Sequence, residues 1–266
     1  MSSDSPRNIF ATSKPVLTYF DLYGKGEAIR MALVHSKTPF EDNRVTGAAW
    51  AAFKASAKCA SGQVPVLEVR SLSLSLSRSL SLSLSLSLTH QSLIIFIVKS
   101  QVDGRYLNQS EAIIRFIGSQ TGAYDTSDPF AMWAADAVIN TCSDFDARTP
   151  KNAAGKSIFY GMFGDAPLPD ADVAALKEHR AKFWAAVQVL LGVKTFFGGA
   201  KPSIADFWVS ARLHAWERNT KGKAVQAHVY AACGEALSGN VVMTAWADRI
   251  SAEFTSYLAA RPGGTL

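Results

Sequence analysis

Apolar positions change their spacing near the middle of the chain. The first part combines short apolar runs with one stretch, residues 27–36, whose apolar positions recur at helical spacing. The short runs predict β-strands at residues 15–20, 40–45 and 64–69. From residue 128 onward, long amphipathic stretches predict helices at residues 131–146, 170–191, 203–218 and 241–260. The pattern therefore predicts a small α/β domain followed by an all-α domain.

The last elements of the first domain have specific end signals. Asp103-Gly104 is a two-residue hairpin turn signal, and residues 105–107 supply a strand after it. Ser110 predicts the N-cap of a helix that Gly118 ends. We expect a disordered N-terminus at residues 1–13, an α/β domain at 14–122 and a helical domain at 128–266.

One segment has a different pattern from the rest. Residues 71–88 alternate Ser and Leu, broken only at Arg78, and a short apolar run, residues 93–98, follows soon after. A strand of 18 residues would exceed the usual length, and a helix would carry leucine on every side. A membrane span is excluded because residues 79–98 are about half polar and include His90. The segment is therefore a low-complexity insertion.

Composition excludes several classes of protein. Hydrophobic residues make up 48% of the chain and charged residues 18%, which excludes wholesale disorder. The net charge is +5, but the cations form no stripe that could follow a phosphate backbone, so we expect no nucleic-acid partner. The scattered Cys59, Cys142 and Cys233 fit a reducing compartment, and the five isolated histidines predict no metal site. The polar N-terminus lacks the apolar core of a secretory signal, so we expect a cytoplasmic protein with no membrane partner.

Four stretches in order resemble the glutathione transferases, closest to the sigma-like class. They are LTYFDLYGKGEAIRMAL at 17–33, WAAFK at 50–54, GQVPVLE at 62–68 and VDGRYLNQSEAIIRFI at 102–117. The resemblance continues through Asp136-Ala137, residues 143–145 and 202–207, Tyr257-Leu258 and Arg261-Pro262. It implies a thioredoxin-like N-terminal domain, an all-α C-terminal domain, glutathione as co-substrate, a homodimer and a role in detoxification.

Tyr19 is the candidate catalytic residue. The resemblance implies that its hydroxyl donates a hydrogen bond to the glutathione sulfur, which would favour the thiolate and lower the pKa of the thiol. The alternative is a tyrosine packed in a strand, where aromatic residues are common.

Other matched positions imply contacts with the rest of glutathione. Val64-Pro65, after Gln63, is expected to be a cis dipeptide whose backbone pairs with the tripeptide, although an ordinary proline at a strand edge is the alternative. The resemblance places the γ-glutamyl carboxylate at Gln109 and Ser110, where a helix N-terminus attracts anions.

The glycyl carboxylate would meet Trp50 and Lys54, which lie at i and i+4 on one helical face, unless they are merely a solvated surface pair. Lys25 replaces the arginine that is usual in the sigma-like class and loses its two-pronged geometry. Asp144 matches an aspartate that reaches the glutathione of the partner subunit, with a salt bridge to the N-terminal domain or an exposed helix charge as the alternatives. Ser203 and Asp206 have the spacing of a capping box and are assigned to folding.

The predicted activity is glutathione transfer to a small electrophilic apolar substrate. That substrate would lie between Leu22-Tyr23 and a helix carrying Met132, Trp133 and Phe145. Two alternatives remain: a glutathione-dependent isomerase of the prostaglandin D synthase type, and a non-catalytic relative with the same fold.

The insertion interrupts the family pattern at residues 69–101. Removing these 33 residues joins Glu68 to Val102 and leaves 266 − 33 = 233 residues. A TC dinucleotide repeat translates as Ser-Leu-Ser-Leu, Val69-Arg70 can be encoded by a splice-donor sequence and Gln101 by a splice acceptor. We therefore hypothesise a retained intron translated in frame; a genuine flexible loop is the alternative.

Overall fold

The computed structural model describes residues 9–11, 13–72 and 102–262. The N-terminal domain is built on a mixed sheet of β1 (Val16–Phe20), β2 (Glu41–Val45), β3 (Val66–Leu72) and β4 (Val102–Asn108). The strand order is β2-β1-β3-β4, with β1 parallel to β2 and the other neighbours antiparallel. This is the thioredoxin-like arrangement that the family resemblance implies.

In the described part of the same domain there are three α-helices: α1 (Gly24–His35), α2 (Gly47–Lys54) and α3 (Ser110–Thr121). The α1 helix makes the crossover from β1 to the parallel strand β2 and packs beside α3. Ile29 of α1 and Ile113, Ile114 and Ile117 of α3 are completely buried, because each helix turns its apolar stripe toward the core.

The regular structure of the C-terminal domain, in its described residues, is helical apart from two isolated β-bridges. Its helices are α4 (Pro129–Ala147), α5 (Ile158–Gly161), α6 (Asp170–Leu191), α7 (Ile204–Ala215), α8 (Ala227–Ser238), α9 (Val241–Glu253) and α10 (Thr255–Ala260). Every residue of α7 is buried, as expected for a helix at the centre of a domain. It packs against α4 and α9 and also against α1 of the first domain. The two domains therefore share one continuous core.

The predicted capping box at the start of α7 is confirmed. Asp206 is buried and accepts hydrogen bonds from the N–H groups of Phe197, Gly198 and Ser203 and from the Trp246 indole. Burial raises the pKa of Asp206, and these donors oppose the rise. The box therefore ties three segments of the helical domain together.

Several local predictions are wrong. Asp103 and Gly104 lie inside β4, opposite Ser71 and Arg70, instead of forming a turn. Ser110 is the first residue of α3 rather than its N-cap, which is Gln109. Gly118 lies inside α3, where Ile204 and Tyr124 press so closely that a Cβ atom would stand 2.5 Å from the Ile204 side chain.

The ends of other elements also differ from the predictions. Residues 9–11, expected to be disordered, form a 3-10 helix, and Phe10 is buried against Phe116. The stretch 241–260 forms two helices, α9 and α10, separated at Phe254, which is buried. Most of the proposed insertion, residues 73–101, lies outside the described residues, and residues 69–72 belong to β3.

Candidate active site

Tyr19 lies one residue before the end of β1, where the chain turns into α1. Its hydroxyl oxygen accepts a hydrogen bond of 3.0 Å from the Lys25 N–H in the first turn of α1. Gly24 and Gly26 allow this approach, because a Cβ at Gly26 would lie 2.5 Å from the Tyr19 ring. Gly24 also has a φ of +40°, which favours glycine.

The environment of Tyr19 keeps its phenol protonated. The residue is 7% exposed, and burial raises the pKa of Tyr19, while the Lys25 N–H and the charge of Arg30 oppose that rise. A protonated phenol that already accepts one hydrogen bond keeps its own O–H available as a donor. Tyr19 can therefore donate to an anion in front of it.

The sheet register brings two other predicted segments next to Tyr19. Val66, the first residue of β3, lies opposite Thr18 on one side and Asn108 on the other. The predicted cis bond between Val64 and Pro65 is present just before Val66. Gln109 follows Asn108 directly, so the cis dipeptide lies between the Tyr19 strand and the start of α3.

The start of α3 has an unusual backbone. Gln109 occupies its N-cap position with a φ of +71°, in the left-handed region that non-glycine residues rarely adopt. Such conformations cluster at functional sites. Among the described residues no side chain caps the helix, so the first N–H groups of α3 remain for a ligand or for solvent. Ser110 is buried, and the neighbouring Glu111 accepts a hydrogen bond of 2.6 Å from Ser143 of α4.

The predicted Trp50–Lys54 pair lies on one face of α2. The Lys54 ammonium lies 5.9 Å from the centre of the Trp50 ring, and that ring packs edge-on against Phe20 at 5.0 Å. This contact places the pair beside the end of β1. Gln63 is exposed in the loop that leads to the cis dipeptide, and its carbonyl accepts a hydrogen bond from the Cys59 thiol.

A cavity of about 550 Å³ opens in front of Tyr19, between the two domains. Its lining includes the β1–α1 loop, through Leu22 and Lys25, and four segments of the helical domain. The aromatic part of the lining consists of Tyr19, Phe20, Phe159, Tyr160, Phe163 and Trp216. The cavity can therefore hold a flat or apolar molecule beside the Tyr19 hydroxyl.

Most of the predicted second-substrate residues lie outside this cavity. Leu22 lines it, but Tyr23 is completely buried in a separate apolar cluster. Met132 and Phe145 pack into the main core, and the Phe145 ring contacts His179 and Phe183. Trp133 is exposed on α4. Residues at helical spacing along α4 are typical of a face that packs in a core. The spacing alone therefore could not indicate which face of α4 meets the cavity.

The polar groups of the cavity were missed by sequence reasoning. Arg212 of α7 is paired with Asp146 of α4 and donates to the Trp208 carbonyl at 2.8 Å. The ring of His179 of α6 makes a 3.0 Å hydrogen bond with the Phe145 carbonyl. Burial and the nearby Arg180 lower the pKa of His179, so the imidazole is neutral at pH 7. These residues come from three helices far apart in sequence, so local patterns could not have grouped them.

Asp144 is exposed on α4 and forms an ion pair of 3.2 Å with Arg148 one turn later. Lys25 is exposed at the mouth of the cavity, and its backbone N–H, rather than its ammonium, contacts Tyr19.

Within residues 9–11, 13–72 and 102–262, no group of His, Cys, Asp and Glu side chains has the arrangement of a metal site. In the same residues, no helix has both the length and the apolar character needed to cross a membrane.

Comparison with known proteins gives a consistent set of relatives. The chain is 26% identical over 192 residues to hematopoietic prostaglandin D synthase of Gallus gallus, covering 72% of this chain and 74% of that protein. It is 38% identical over 162 residues to the probable glutathione S-transferase 5 of Caenorhabditis elegans, covering 61% and 58%. It is 30% identical over 132 residues to glutathione S-transferase 1 of Ascaris suum, covering 50% and 47%. The chain thus spans about half to three quarters of these relatives, and no protein-family model matches it.

Solved structures match nearly the whole chain. The glutathione S-transferase of Ascaris lumbricoides superimposes with a TM-score of 0.64 at 22% identity, covering 94% of this chain and 98% of that one. Na-GST-3 of Necator americanus, described as monomeric, gives a TM-score of 0.67 at 20% identity, covering 95% and 100%. The fold is therefore that of the glutathione transferases, a thioredoxin-like domain joined to a helical domain. The names of the relatives and of the structural neighbours together support the glutathione S-transferase family.

Proposed function

We propose that this protein is a glutathione transferase, closest to the sigma-like class, that joins the glutathione thiolate to small electrophilic apolar substrates. The observation that carries the proposal is the Tyr19 phenol, protonated, fixed by the Lys25 N–H and facing a cavity with an aromatic lining. A tyrosine with only a packing role would not need its hydroxyl at a cavity mouth. The same geometry favours the enzyme over a non-catalytic relative.

Tyr19 would act on the sulfur. Its O–H donates to the glutathione sulfur and stabilises the thiolate more than the thiol, which lowers the pKa of the thiol. The Lys25 N–H strengthens this donor, because hydrogen bonds in a chain polarise one another. The thiolate then attacks an electrophilic carbon, a C–S bond forms, and the displaced electron pair leaves with the leaving group or takes up a proton from water.

The remainder of glutathione would lie along the edge of the sheet. The backbone of Val64, which lies between the Tyr19 strand and the start of α3, would pair with the cysteinyl backbone of the tripeptide. The γ-glutamyl carboxylate meets the uncapped N–H groups at Gln109 and Ser110, where the helix dipole favours a negative charge. The glycyl carboxylate meets Lys54, with Trp50 beside it and Gln63 in the adjoining loop.

The second substrate would occupy the cavity. Its aromatic lining favours a flat apolar electrophile, and Leu22 contacts it from the β1–α1 loop. Asp144, Met132 and Trp133 lie on α4, the helix that we propose to meet a second copy in a homodimer, where Asp144 would approach the glutathione of the partner subunit. A cytoplasmic role in detoxification accords with this chemistry.

A glutathione-dependent isomerase is the second candidate. It is favoured by the likeness to the Gallus gallus prostaglandin D synthase, the relative whose length is covered most fully of the three compared. The two activities differ in outcome, because a transferase consumes glutathione and an isomerase regenerates it.

Binding and turnover separate the candidates. Retention on immobilised glutathione together with conjugation of a chromogenic aryl halide supports the transferase. Retention with isomerisation of an endoperoxide and no loss of glutathione supports the isomerase. Failure to bind glutathione, or binding without either reaction, would contradict an enzymatic role for Tyr19.

A further inference from the structure

A buried group of charges lies beneath the β1–α1 loop. Glu27 of α1 is completely buried and accepts hydrogen bonds from Arg30 at 3.3 Å and from Arg261 at 2.6 Å. Arg30 also donates to both carboxylate oxygens of Asp42, at 3.0 and 3.1 Å. The group thus contains two cations and two anions, of which Arg261 comes from the C-terminal end of the described chain, 234 residues from Glu27.

Arg261 makes contacts on three sides. Its Nη1 atom donates to Glu27, and its Nη2 atom donates to the His214 carbonyl of α7 at 2.9 Å. The face of its guanidinium lies 3.8 Å from the centre of the Tyr23 ring. Tyr23 in turn donates its O–H to the Pro262 carbonyl at 3.0 Å. A planar group with several fixed donors can make these contacts together, which a lysine ammonium cannot.

The contacts of Tyr23 and Arg30 define the shape of the loop that connects Tyr19 to Lys25. Arg30 donates to the Leu22 carbonyl at 3.1 Å, and its guanidinium carbon lies 5.8 Å from the centre of the Tyr19 ring. The Glu27 N–H donates to the Tyr23 carbonyl at 3.0 Å. Tyr23 is therefore held through its backbone by α1 and through its side chain by the C-terminal tail.

The tail is itself fixed to the helical domain. Lys221 donates to the Arg261 carbonyl at 2.5 Å and to the Ala259 carbonyl at 2.9 Å. Arg261 is 5% exposed, so its contacts with Glu27 and Tyr23 are shielded from solvent. The loop beneath the Tyr19 hydroxyl is thus attached, through the tail, to the helical domain.

We propose that Arg261 is a positioning residue for Tyr19, holding the β1–α1 loop in the shape that brings the Lys25 N–H to the Tyr19 hydroxyl. A buried ion pair often adds little net stability compared with apolar residues of similar volume. Its value here lies in selecting one loop conformation. The effect on the loop is independent of the ligand, whereas the effect on catalysis rests on the proposed function.

The test compares Arg261→Met, Arg261→Lys and a control, Arg218→Met. Arg218 also joins a C-terminal helix to the end of α7, through Asp248 and the Ala247 carbonyl. Among the residues that the structure describes, it makes no hydrogen bond or ion pair with the β1–α1 loop. Hydrogen exchange of peptides spanning residues 20–27 reports the loop without glutathione. Ultraviolet titration of bound glutathione reports the ionisation of its thiol, and binding of S-methylglutathione reports affinity without a thiol.

We expect Arg261→Met to accelerate exchange in residues 20–27 about tenfold or more and to lower kcat/KM at neutral pH about tenfold. The bound thiol should ionise at higher pH, while S-methylglutathione affinity changes less than threefold. Arg261→Lys should fall between this variant and the wild type, and Arg218→Met should match the wild type in the loop.

The proposal would be overturned if the Arg261→Met variant folds and does not differ from Arg218→Met in the exchange rate of residues 20–27 or in the pH at which the bound thiol ionises. If the Arg261→Met variant does not fold, the Arg261→Lys variant decides the question. Faster hydrogen exchange of its residues 20–27 than in the wild type supports the positioning role, and exchange at the wild-type rate refutes it. If the wild type does not bind glutathione, the proposed function fails, and the exchange comparison still decides the role of Arg261 in the loop.

Discussion

Replacement of Tyr19 by Phe tests the central step of the proposed chemistry. The substitution removes one hydroxyl and leaves the ring in β1, between Gly24, Gly26 and Phe20. The fold should survive, because within the described residues the substitution removes a single hydrogen bond, the one from the Lys25 N–H. That N–H lies in the first turn of α1 beside the cavity.

The expected magnitude follows from the kind of hydrogen bond. A hydrogen bond to a charged acceptor such as a thiolate contributes about 1.5–3 kcal/mol. One pKa unit corresponds to about 1.4 kcal/mol, so the pKa of the bound thiol should rise by about one to two units. Below both pKa values the thiolate fraction, and with it kcat/KM, should fall about 10- to 100-fold. Above both values the difference should shrink, because the thiol is then ionised in either protein.

The assay is an ultraviolet titration of glutathione bound to the wild type and to the Tyr19→Phe variant, with kcat/KM measured across the same pH range. Tyr124→Phe is the matched control, because its hydroxyl donates to Asp136 at 3.2 Å, outside the cavity. The control should keep the wild-type thiol pKa. An unchanged thiol pKa in folded Tyr19→Phe would remove Tyr19 from the mechanism.

Two further predictions concern assembly and pH. We expect light scattering to give about twice the chain mass of 28.6 kDa. We also expect the Asp144→Ala variant to bind glutathione several-fold more weakly than the wild type. A fully active monomer, together with wild-type glutathione affinity in the Asp144→Ala variant, would contradict both predictions. His214 is buried, and burial with the neighbouring Arg261 and Arg218 lowers its pKa to about 3. The unfolded histidine takes up a proton near pH 6.5, so the free energy of unfolding should fall as the pH drops from about 6.5 toward 3. Denaturant titrations of the wild type and His214→Gln should differ in that slope, and equal slopes would refute the argument.

The elements that the sequence predicted best have local signals. The helix at residues 170–191 is confirmed with its bounds, and the strand carrying Tyr19 is confirmed to within one residue. Ser203 and Asp206 had the spacing of a capping box, and the box is present. In each case a few neighbouring residues determine the structure, so the pattern is sufficient.

Tertiary contacts explain the failures. A glycine is typical of a helix end, but Gly118 lies inside α3, where the close approach of Ile204 leaves no room for a Cβ atom. Tyr23 resembles a loop aromatic that could meet a substrate, but Arg261, more than 230 residues away, holds it in the interior. The cavity wall is likewise assembled from distant segments, including the aromatic residues of the short α5 helix and Trp216 after α7. Periodicity along one segment contains no information about these partners.

The last prediction concerns the β3–β4 hairpin and the proposed insertion. In the sheet, Glu68 lies opposite Tyr106 and Val69 lies opposite Arg105. If residues 69–101 are removed, Val102 follows Glu68 directly and can take the place of Val69 opposite Arg105. Asp103 and Gly104 are then the two residues left to connect the strands, which is the sequence that a tight hairpin turn prefers.

Placing Val102 at the position of Val69 conserves the packing as well as the register. Val69 is buried, and a valine replaces it in the shortened chain. The shortened chain loses the strand pairs beyond Val69, in which residues 70–72 lie opposite residues 102–104. These pairs lie at the far end of the hairpin from Val66 and the cis Pro65. The shortened chain should therefore keep the candidate glutathione site.

Loop-closure entropy gives the size of the effect. Reducing the connection from the 29 residues between Leu72 and Val102 to a two-residue turn should stabilise the protein by about 2–3 kcal/mol. For a chain of this length that corresponds to a rise in melting temperature of about 5–10 °C. Removing an alternating Ser-Leu run should also reduce aggregation, so the soluble yield should increase.

The experiment compares the 266-residue chain with the 233-residue variant in soluble yield, melting temperature and retention on immobilised glutathione. A matched control deletes residues 73–101 only and keeps the β3 residues up to Leu72, so that the register argument is tested separately from the loss of the Ser-Leu run. Higher yield and equal or better retention for the 233-residue variant, together with a spliced transcript that lacks the segment, would support the retained-intron hypothesis. A mature transcript that contains the segment, with glutathione binding lost on deletion, would show that residues 69–101 belong to the functional protein.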